Sequence, residues 1–191
     1  MYQIIHERPE DAALIEPLLD KCFGPERFEK TAYKIRENIN QLPELSFIVR
    51  DNGNLLATIR YWPLLIGGNA AAILLGPIAV EPDRQGQKIG VTLIRKSLAL
   101  AQVLGHEIVV LVGDPEYYEQ FGFQNASALG LEFPGPVAER RFLVKELADG
   151  AINGVSGMVE GLNPASEPMS EAMKSKEVVA GLSTFSPPAE A

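Results

Sequence analysis

The hydrophobic pattern changes period between residues 74 and 101. Leu74–Val80 is a continuous apolar run that ends in a β-branched residue, which is typical of a buried central strand. Glu81–Asp83 ends the run, because the proline inside it cannot donate to a strand ladder. Apolar residues then recur at three- and four-residue steps, which predicts a half-buried helix over Gln87–Leu104. The stretch therefore predicts a strand, a tight turn and a helix.

The chain before this stretch predicts a strand, two helices and an antiparallel meander. Asn52-Gly53 between two apolar runs is a strong hairpin signal. Residues 63–80 carry no charge and approach the length of a membrane span, but Gly67–Asn69 in their middle predicts a turn between two buried strands. The predicted elements are a strand at Tyr2–Glu7, helices at Pro9–Cys22 and Glu26–Asn38, and strands at Leu45–Arg50, Asn54–Trp62 and Ala71–Val80.

The chain after the helix predicts further strands and then changes in composition. A strand at Glu107–Val112 follows the helix, and a strand, helix, strand connection usually gives a parallel pair. Ser127–Phe133 and Arg141–Leu147 predict a final pair of strands. Residues 1–147 are therefore expected to form one domain and residues 148–191 an extension, with 165–191 largely disordered or loosely helical.

Composition narrows the class of protein. The 191 residues are enough for one domain with a sizeable core and a tail. The formal charge of -8 argues against a nucleic-acid-binding role and allows a cationic amine as substrate. Cys22 is the single cysteine, which excludes an internal disulfide and a cysteine-only metal cluster and favours a buried apolar thiol. His6 and His106 have no metal-ligand partner in sequence, and without a signal-like N-terminal segment the default expectation is cytoplasmic.

The turn at residues 84–90 is the first candidate for chemistry. The first backbone N–H groups of a helix have no internal partners, and the helix dipole adds positive potential there. Glycine lets the backbone approach a ligand closely, so Gly86 and Gly90 in this turn favour an anion site that suits a pyrophosphate. An ordinary turn before a helix is the alternative.

This turn resembles the pyrophosphate loop of the GNAT superfamily of acyl-CoA-dependent acetyltransferases, which reads Q/R-x-x-G-x-G/A after a strand ending L-x-V-x-P. The chain has Ile78-Ala79-Val80-Glu81-Pro82 followed by Gln85-Gly86-Gln87-Lys88-Ile89-Gly90. Lys88 stands where the family usually has its first glycine, where we expect it to keep ordinary helical geometry and to add a cation near phosphate. The resemblance implies acetyl-CoA as co-substrate and these cofactor-binding residues: Ile78, Ala79, Val80, Gln85, Gly86, Gln87, Lys88, Ile89 and Gly90.

A second, independent motif supports the resemblance. GNAT enzymes carry Y-x-x-x-G-F on a helix after the fifth strand, and Tyr118, Gly122 and Phe123 fit that spacing. The residues of the two motifs are similar to those of a bacterial branch known only as predicted acetyltransferases. The resemblance covers about residues 1–164. It implies an α/β (α+β) fold with a mostly antiparallel mixed sheet, one parallel strand pair that splays to admit the pantetheine arm, and helices on both faces. It also implies that Phe23, Phe28 and Tyr33 border the acceptor site, with core packing as the alternative.

The resemblance implies roles for a few side chains. Tyr118 would be the general acid that donates to the departing thiolate, and a tyrosine packed on the sheet is the alternative. Glu81 is the nearest candidate base, with an exposed turn carboxylate as the alternative. Asp114 and Glu116 are further candidates that can instead cap the following helix. Backbone N–H groups near Ala79 and Val80 would polarise the thioester carbonyl, and no metal is expected.

The function predicted by resemblance is acetyl transfer from acetyl-CoA to a primary amine of a small molecule or a protein, by direct attack in a ternary complex. The alternative is a catalytically idle acyl-CoA-binding sensor or interaction module. O-acetyl transfer and longer acyl chains stay open, and a homodimer is compatible with the family. A Rossmann enzyme and a P-loop enzyme are poor matches, because the loop lacks both G-x-G-x-x-G and G-K-[S/T].

Overall fold

One mixed sheet organises residues 2–162, which are the residues that the computed structural model describes. The expectation of disorder over 165–191 lies outside these residues. The strands are β1 (Gln3–His6), β2 (Phe47–Asp51), β3 (Asn54–Ile66), β4 (Ala70–Val80), β5 (Ile108–Val112), β6 (Gln124–Asn125), β7 (Leu131–Glu132), β8 (Phe142–Glu146) and β9 (Gly157–Gly161). The α-helices are α1 (Ala12–Phe23), α2 (Thr31–Lys34), α3 (Ile89–Val103) and α4 (Pro115–Tyr118).

The strand order is β1-β2-β3-β4-β5-β8-β6, with β9 on the far part of β3. Neighbours along this path pair antiparallel except β4 and β5, which are parallel because α3 connects them. The predicted mixed sheet with one parallel pair is thus confirmed in the main sheet. A second, two-residue parallel contact joins β7 to β9 at its margin.

The predicted antiparallel meander is confirmed. The turn between β2 and β3 has positive φ at both central residues, 49° at Asn52 and 84° at Gly53. This geometry matches the right-handed twist of a two-residue hairpin. The uncharged stretch 63–80 forms parts of β3 and β4 joined by a turn, and no helix of residues 2–162 is long and apolar enough to cross a bilayer.

Helices cover both faces of the sheet, as predicted. The apolar stripe of α3 packs on one face, where the Tyr61 hydroxyl and the Ser97 hydroxyl share a buried hydrogen bond of 2.8 Å. Ile15 of α1 packs against Ile48 and Ala79 on the opposite face. Side chains of successive β4 residues therefore pack against different helices, because strand side chains alternate between the two faces of the sheet.

The predicted helix over Glu26–Asn38 is wrong. Pro25–Glu29 forms a 3₁₀ turn, the backbone becomes extended at Lys30, and α2 is a single turn that begins at Thr31. Arg27 in this turn is 1% exposed and forms ion pairs with Glu16 and Asp20 of α1. These contacts fix the 3₁₀ turn against α1, so tertiary packing overrides the helical pattern.

The predicted pairing of Ser127–Phe133 with Arg141–Leu147 is also wrong. Ser127–Leu129 is a 3₁₀ turn, and β7 pairs with β9 instead. Strand β8 forms where expected but pairs with β5 and β6. Strand β9 lies beyond residue 147, where composition predicted the extension to begin, and pairs with the last residues of β3.

Buried ion pairs hold α1 on the sheet. Arg60 of β3 binds the Glu7 carboxylate through two nitrogens at 2.7–3.1 Å and reaches Glu16 at 3.0 Å. Glu16 also pairs with Arg27, so one carboxylate joins the sheet, α1 and the 3₁₀ turn. Removing one partner of such a network leaves a charge without compensation.

Asp11 anchors the start of α1 in the same way. Its carboxylate is 4% exposed and accepts hydrogen bonds from the Arg8 backbone N–H at 2.8 Å and from Arg50 at 2.6 Å. Burial by itself would raise the pKa of Asp11, but these hydrogen bonds and the charge of Arg50 lower the pKa below its ordinary value. A lowered folded-state pKa contributes stability above the unfolded pKa, and that stability is lost as the pH falls through the folded pKa.

We expect Asp11→Asn to reduce the free energy of unfolding at pH 7 by roughly 1.5–3 kcal/mol, the range for hydrogen bonds to a charged group. The difference from wild type should shrink as the pH falls below about 4, because wild-type Asp11 then takes up a proton. Urea unfolding between pH 3 and 7 measures both effects. Glu10→Gln is the matched control, since that carboxylate is 67% exposed, and its effect should stay within about 0.5 kcal/mol. An equal loss at all pH values would contradict the role of the charge.

Candidate active site

A cleft opens where β4 and β5 separate. The two strands pair only at Ile73 with Val109 and at Leu74 with Val110. Strand β4 continues for six residues beyond this point without β5 beside it. A cleft with a volume of about 830 Å³ lies there, lined by β4, the ends of β5 and α3, the segment from Phe23 to Arg36 and the loop before β8. The backbone edge of β4 is therefore available to a ligand.

A β-bulge shapes β4 inside this cleft. The register with β3 runs from Ile59–Ile78 to Tyr61–Leu75, so Gly76 and Pro77 together lie opposite Arg60. The Trp62 indole donates a hydrogen bond of 2.7 Å to the carbonyl of Gly76. Bulges re-aim the strand at sites of this kind, and here both bulge residues line the cleft.

The turn at the mouth of the cleft has two residues with positive φ. Gly86 has φ 79°, and Lys88 has φ 62°, in the left-handed region, immediately before α3. The expectation that Lys88 keeps helical geometry is therefore wrong: its backbone is left-handed, a conformation that glycine adopts without a Cβ penalty. α3 is fifteen residues long, and the N–H groups of its first turn have no partner within the helix, so this end of α3 is able to attract an anion.

The predicted cofactor-binding residues divide into two groups. Those that line the cleft are Ile78, Val80, Gln85, Gly86, Lys88, Ile89 and Gly90. Ala79 does not, because its side chain packs on α1, and Gln87 does not. The Val80 carbonyl accepts a hydrogen bond of 3.2 Å from the Gln85 side chain, which links the loop to β4. The same carbonyl accepts a hydrogen bond of 3.4 Å from the Cys22 thiol of α1.

Tyr118 lies in the wall of the cleft and is 8% exposed. Its ring packs against Phe121 and Phe123 and so closely against Gly113 that a Cβ there would collide with it. Burial raises the pKa of Tyr118, and the neighbouring Tyr117 and Asp114 raise it further. The phenol is thus held protonated well into the alkaline range.

Tyr117, the neighbour of Tyr118 in sequence, also lines the cleft. A Cβ at Gly90 would lie 3.2 Å from the Tyr117 hydroxyl, so that hydroxyl sits beside the first turn of α3. The two tyrosine rings meet edge to face, at 89° with centroids 5.0 Å apart. Adjacent residues thus direct one tyrosine to the mouth of the cleft and the other to its wall, which sequence spacing alone does not specify.

The three candidate carboxylates differ in position. Glu81 does not line the cleft, and its carboxylate accepts a hydrogen bond of 2.6 Å from Lys21. Glu116 also lies outside, is 74% exposed and pairs with Arg140. Asp114 lines the cleft, with Arg141 at 3.4 Å.

The other end of the cleft holds the residues expected to border an acceptor. Phe23 and Tyr33 line it, whereas Phe28 is 58% exposed and does not. Arg36 lies among them and was not identified from the sequence. Its guanidinium stacks on the rings of Tyr33 and Trp62, at 4.7 and 5.7 Å from their centroids. One turn of helix at α2 places it there, which the pattern of a long helix did not predict.

The charge of the cleft is opposite to that of the chain. Four cations and two carboxylates line it, although the whole sequence carries a formal charge of -8. The cations are Lys30, Arg36, Lys88 and Arg141, and the carboxylates are Glu29 and Asp114. The cleft therefore favours anionic ligands. Among residues 2–162, no group of three or more His, Cys, Asp or Glu side chains is arranged to hold a metal ion.

Comparison with known proteins agrees with this geometry. Residues 12–123 match the family model described as the acetyltransferase (GNAT) family. The Escherichia coli K12 protein named uncharacterized N-acetyltransferase YhbS is 31% identical over 156 residues, which cover 81% of this chain and 92% of that protein.

Solved structures show the same architecture. The E. coli GNAT-family N-acetyltransferase YhbS in complex with CoA superposes with a TM-score of 0.74 at 30% identity, covering 84% of this chain and 89% of that one. A GNAT-family acetyltransferase from Brucella melitensis in complex with acetyl-CoA gives a TM-score of 0.64 at 29% identity, covering 87% of this chain and 99% of that one. The sheet with its splayed parallel pair, the loop before α3 and the family match agree: the chain belongs to the GNAT family of acetyltransferases.

Proposed function

We propose that the protein transfers the acetyl group of acetyl-CoA to a primary amine by direct attack in a ternary complex. The single observation that carries this proposal is the opening between β4 and β5, with the N-terminus of α3 and its loop at one end and the aromatic and cationic side chains of Tyr33 and Arg36 at the other. A cleft with two chemically distinct ends suits two substrates bound at the same time. Membership of an N-acetyltransferase family supports the reaction class.

The residues present fit the phosphates of acetyl-CoA. The N–H groups at the start of α3, with Gly86 and Gly90, can accept a pyrophosphate without side-chain obstruction, and Lys88 and Arg141 add positive charge in the same cleft. The edge of β4 from Ile78 to Val80 offers backbone groups to the amides of a pantetheine arm. When bound, acetyl-CoA supplies an activated thioester.

The chain's own groups would then act on the reacting atoms. A β4 backbone N–H near Ala79 or Val80 would donate to the carbonyl oxygen, where negative charge develops. Tyr118 would donate a hydrogen bond to the sulfur as the C–S bond breaks. Its raised pKa makes complete proton transfer less favourable than for an ordinary phenol, so we assign it chiefly to stabilising the leaving sulfur. For the base, Asp114 is the candidate that lines the cleft, and Glu81 stays a prediction from the sequence alone.

Lys88 gives a test of the loop by calorimetric titration of acetyl-CoA, with NADH as comparator. We expect Lys88→Gly to weaken acetyl-CoA binding about two- to fivefold, the effect of one charge at a helix N-terminus. The same variant should raise the free energy of unfolding by up to about 1 kcal/mol, because glycine removes the left-handed strain at the cost of some chain entropy. Lys88→Gln is the control that loses the charge and keeps the strain. Tighter acetyl-CoA binding by the glycine variant would contradict the assigned role of the lysine.

Turnover and acetyl-CoA binding of the Tyr118→Phe variant distinguish the enzyme hypothesis from the hypothesis of an idle binding module. We expect kcat to fall about 10²- to 10³-fold, the range for one hydrogen-bond donor to a developing negative charge, while the calorimetric Kd for acetyl-CoA changes less than about threefold. Tyr117→Phe is the matched control on the adjacent residue and should affect acetyl-CoA affinity more than kcat. Unchanged turnover in Tyr118→Phe would contradict the role of Tyr118 in stabilising the leaving sulfur. No turnover of any amine by a wild-type protein that binds acetyl-CoA would favour the sensor alternative.

The pH dependence follows from the raised pKa of Tyr118. A group whose folded-state pKa is raised stays protonated at pH values above its ordinary value of about 10. We therefore expect kcat/KM to rise with pH as the acceptor amine loses its proton, with no decrease from Tyr118 ionisation up to about pH 10. The profile measured from pH 6 to 10 tests this. A descending limb below pH 10 that disappears in Tyr118→Phe would contradict it.

A further inference from the structure

Arg36 differs from the other arginines of residues 2–162 that are buried or partly buried. Arg27, Arg50 and Arg60 each pair with at least one carboxylate, as buried charges normally do. Arg36 has no carboxylate within ion-pair distance among the described residues, and its Nε and Nη1 are buried without a hydrogen-bond partner there. A cation whose nitrogens are buried without compensation is costly, so its retention at this position calls for a partner from outside the described residues.

The guanidinium is aimed at the bulge of β4. A Cβ on Gly76 would lie 3.4 Å from Nη2 of Arg36, so the absence of a side chain at Gly76 leaves that face of the guanidinium open to the cleft. Gly76 precedes Val80 by four residues, which is about 13 Å along an extended strand. Arg36 is thus separated from the phosphate loop by about the length of strand that the pantetheine arm would follow.

The position of Arg36 is fixed by its surroundings. The rings of Tyr33 and Trp62 stack on it, and Trp62 is itself held by its hydrogen bond to Gly76. The neighbouring Ile35 is buried, and Gly161 of β9 lies against its backbone. A guanidinium held in this way loses little freedom when it binds an anion.

We propose that Arg36 binds a carboxylate of the acceptor, so that the acceptor is an amino-acid-like amine that carries a carboxylate near the amine to be acetylated. This inference rests on the proposed function. A planar guanidinium matches a carboxylate in a two-pronged arrangement, and low-dielectric surroundings strengthen that pair. Burial lowers the pKa of Arg36 to about 10, which still leaves the side chain charged at neutral pH. Lys30 in the same cleft adds to the positive potential.

The test measures release of CoA from acetyl-CoA by the full-length protein with matched acceptors. The acceptors are the common L-amino acids, β-alanine and γ-aminobutyrate, and each is compared with its carboxamide. Phosphoethanolamine is added as an amine that carries a phosphate instead of a carboxylate. We expect kcat/KM for the best carboxylate to exceed that of its amide at least tenfold. Arg36→Gln should lower kcat/KM for the carboxylate roughly 10- to 100-fold, which is the effect of losing a hydrogen bond to a charged group. The same variant should change kcat/KM for the amide less than about twofold.

Two further variants keep this test decisive. Arg36→Lys retains the positive charge but loses the planar pair of N–H donors. It should therefore keep more of the preference for the carboxylate than Arg36→Gln does. Arg95→Gln removes an exposed arginine of α3 outside the cleft and should match wild type. Thermal unfolding and the calorimetric Kd for acetyl-CoA, measured for each variant, identify any that has merely lost its fold.

The remaining outcomes overturn the inference in distinguishable ways. Equal use of acids and amides, preference for phosphoethanolamine, or equal losses on both members of a pair in Arg36→Gln would each overturn it. The inference would also be overturned if wild-type protein binds acetyl-CoA but neither acetylates nor binds any carboxylate at millimolar concentration. That outcome would leave the binding of acyl-CoA unaffected. Failure of wild-type protein to bind acetyl-CoA would overturn the proposed function itself and the inference with it.

Discussion

The divergence of β4 from β5 is the constraint on which the site depends. Backbone groups of a strand need partners, and after Leu74 the edge of β4 has no strand beside it on the β5 side. Because β4 and β5 are parallel, the chain must cross over between them, and α3 makes that crossover. The helix therefore begins at the end of β4, next to the exposed strand edge. An anion site and an extended-chain site thus share one end of the sheet.

The acceptor end depends on the buried ion pairs. Arg60 lies opposite the bulge of β4 and binds Glu7 and Glu16. Glu16 also pairs with Arg27, whose 3₁₀ turn leads into α2 and Arg36. Buried ion pairs are poor sources of net stability but can specify one arrangement. Here the network sets the position of α2 relative to the bulge, and so the shape of the second half of the cleft.

The sequence predicted the parts of the fold that local periodicity determines. The strand, turn and helix at residues 74–104 follow from a continuous apolar run and a 3.6-residue period, and the hairpin follows from Asn52-Gly53. The parallel pair in the mixed sheet follows from the strand, helix, strand connection. Glu26–Asn38 also has a helical pattern, but burial of Arg27 between two carboxylates of α1 outweighs it. Strand β9 could not be recognised, because it is short, begins and ends in glycine, and pairs with a residue run about ninety positions earlier.

Residues that line the cleft were predicted from the sequence where a motif, or a position implied by the family resemblance, identifies them. Gln85, Gly90 and Tyr118 line the cleft as the motifs indicate. The left-handed backbone of Lys88 was not foreseen, because a residue's identity does not show the φ that its neighbours impose. Arg36 belongs to no motif, and its lack of a carboxylate partner exists only in three dimensions. The formal charge of -8 likewise concealed a cationic cleft.

The position of Arg36 also bears on how the acceptor amine loses its proton. A free lysine-type amine has a pKa of about 10.4 and must be neutral to attack. A nearby like charge disfavours the protonated amine and lowers that pKa. A guanidinium that pairs with the acceptor's carboxylate would cancel the field by which that carboxylate raises the pKa of the neighbouring amine, whereas the Glu81 carboxylate is occupied by Lys21 outside the cleft. The side chain that selects an acidic group on the acceptor would thus also favour its reactive form, which reduces the need for a strong carboxylate base.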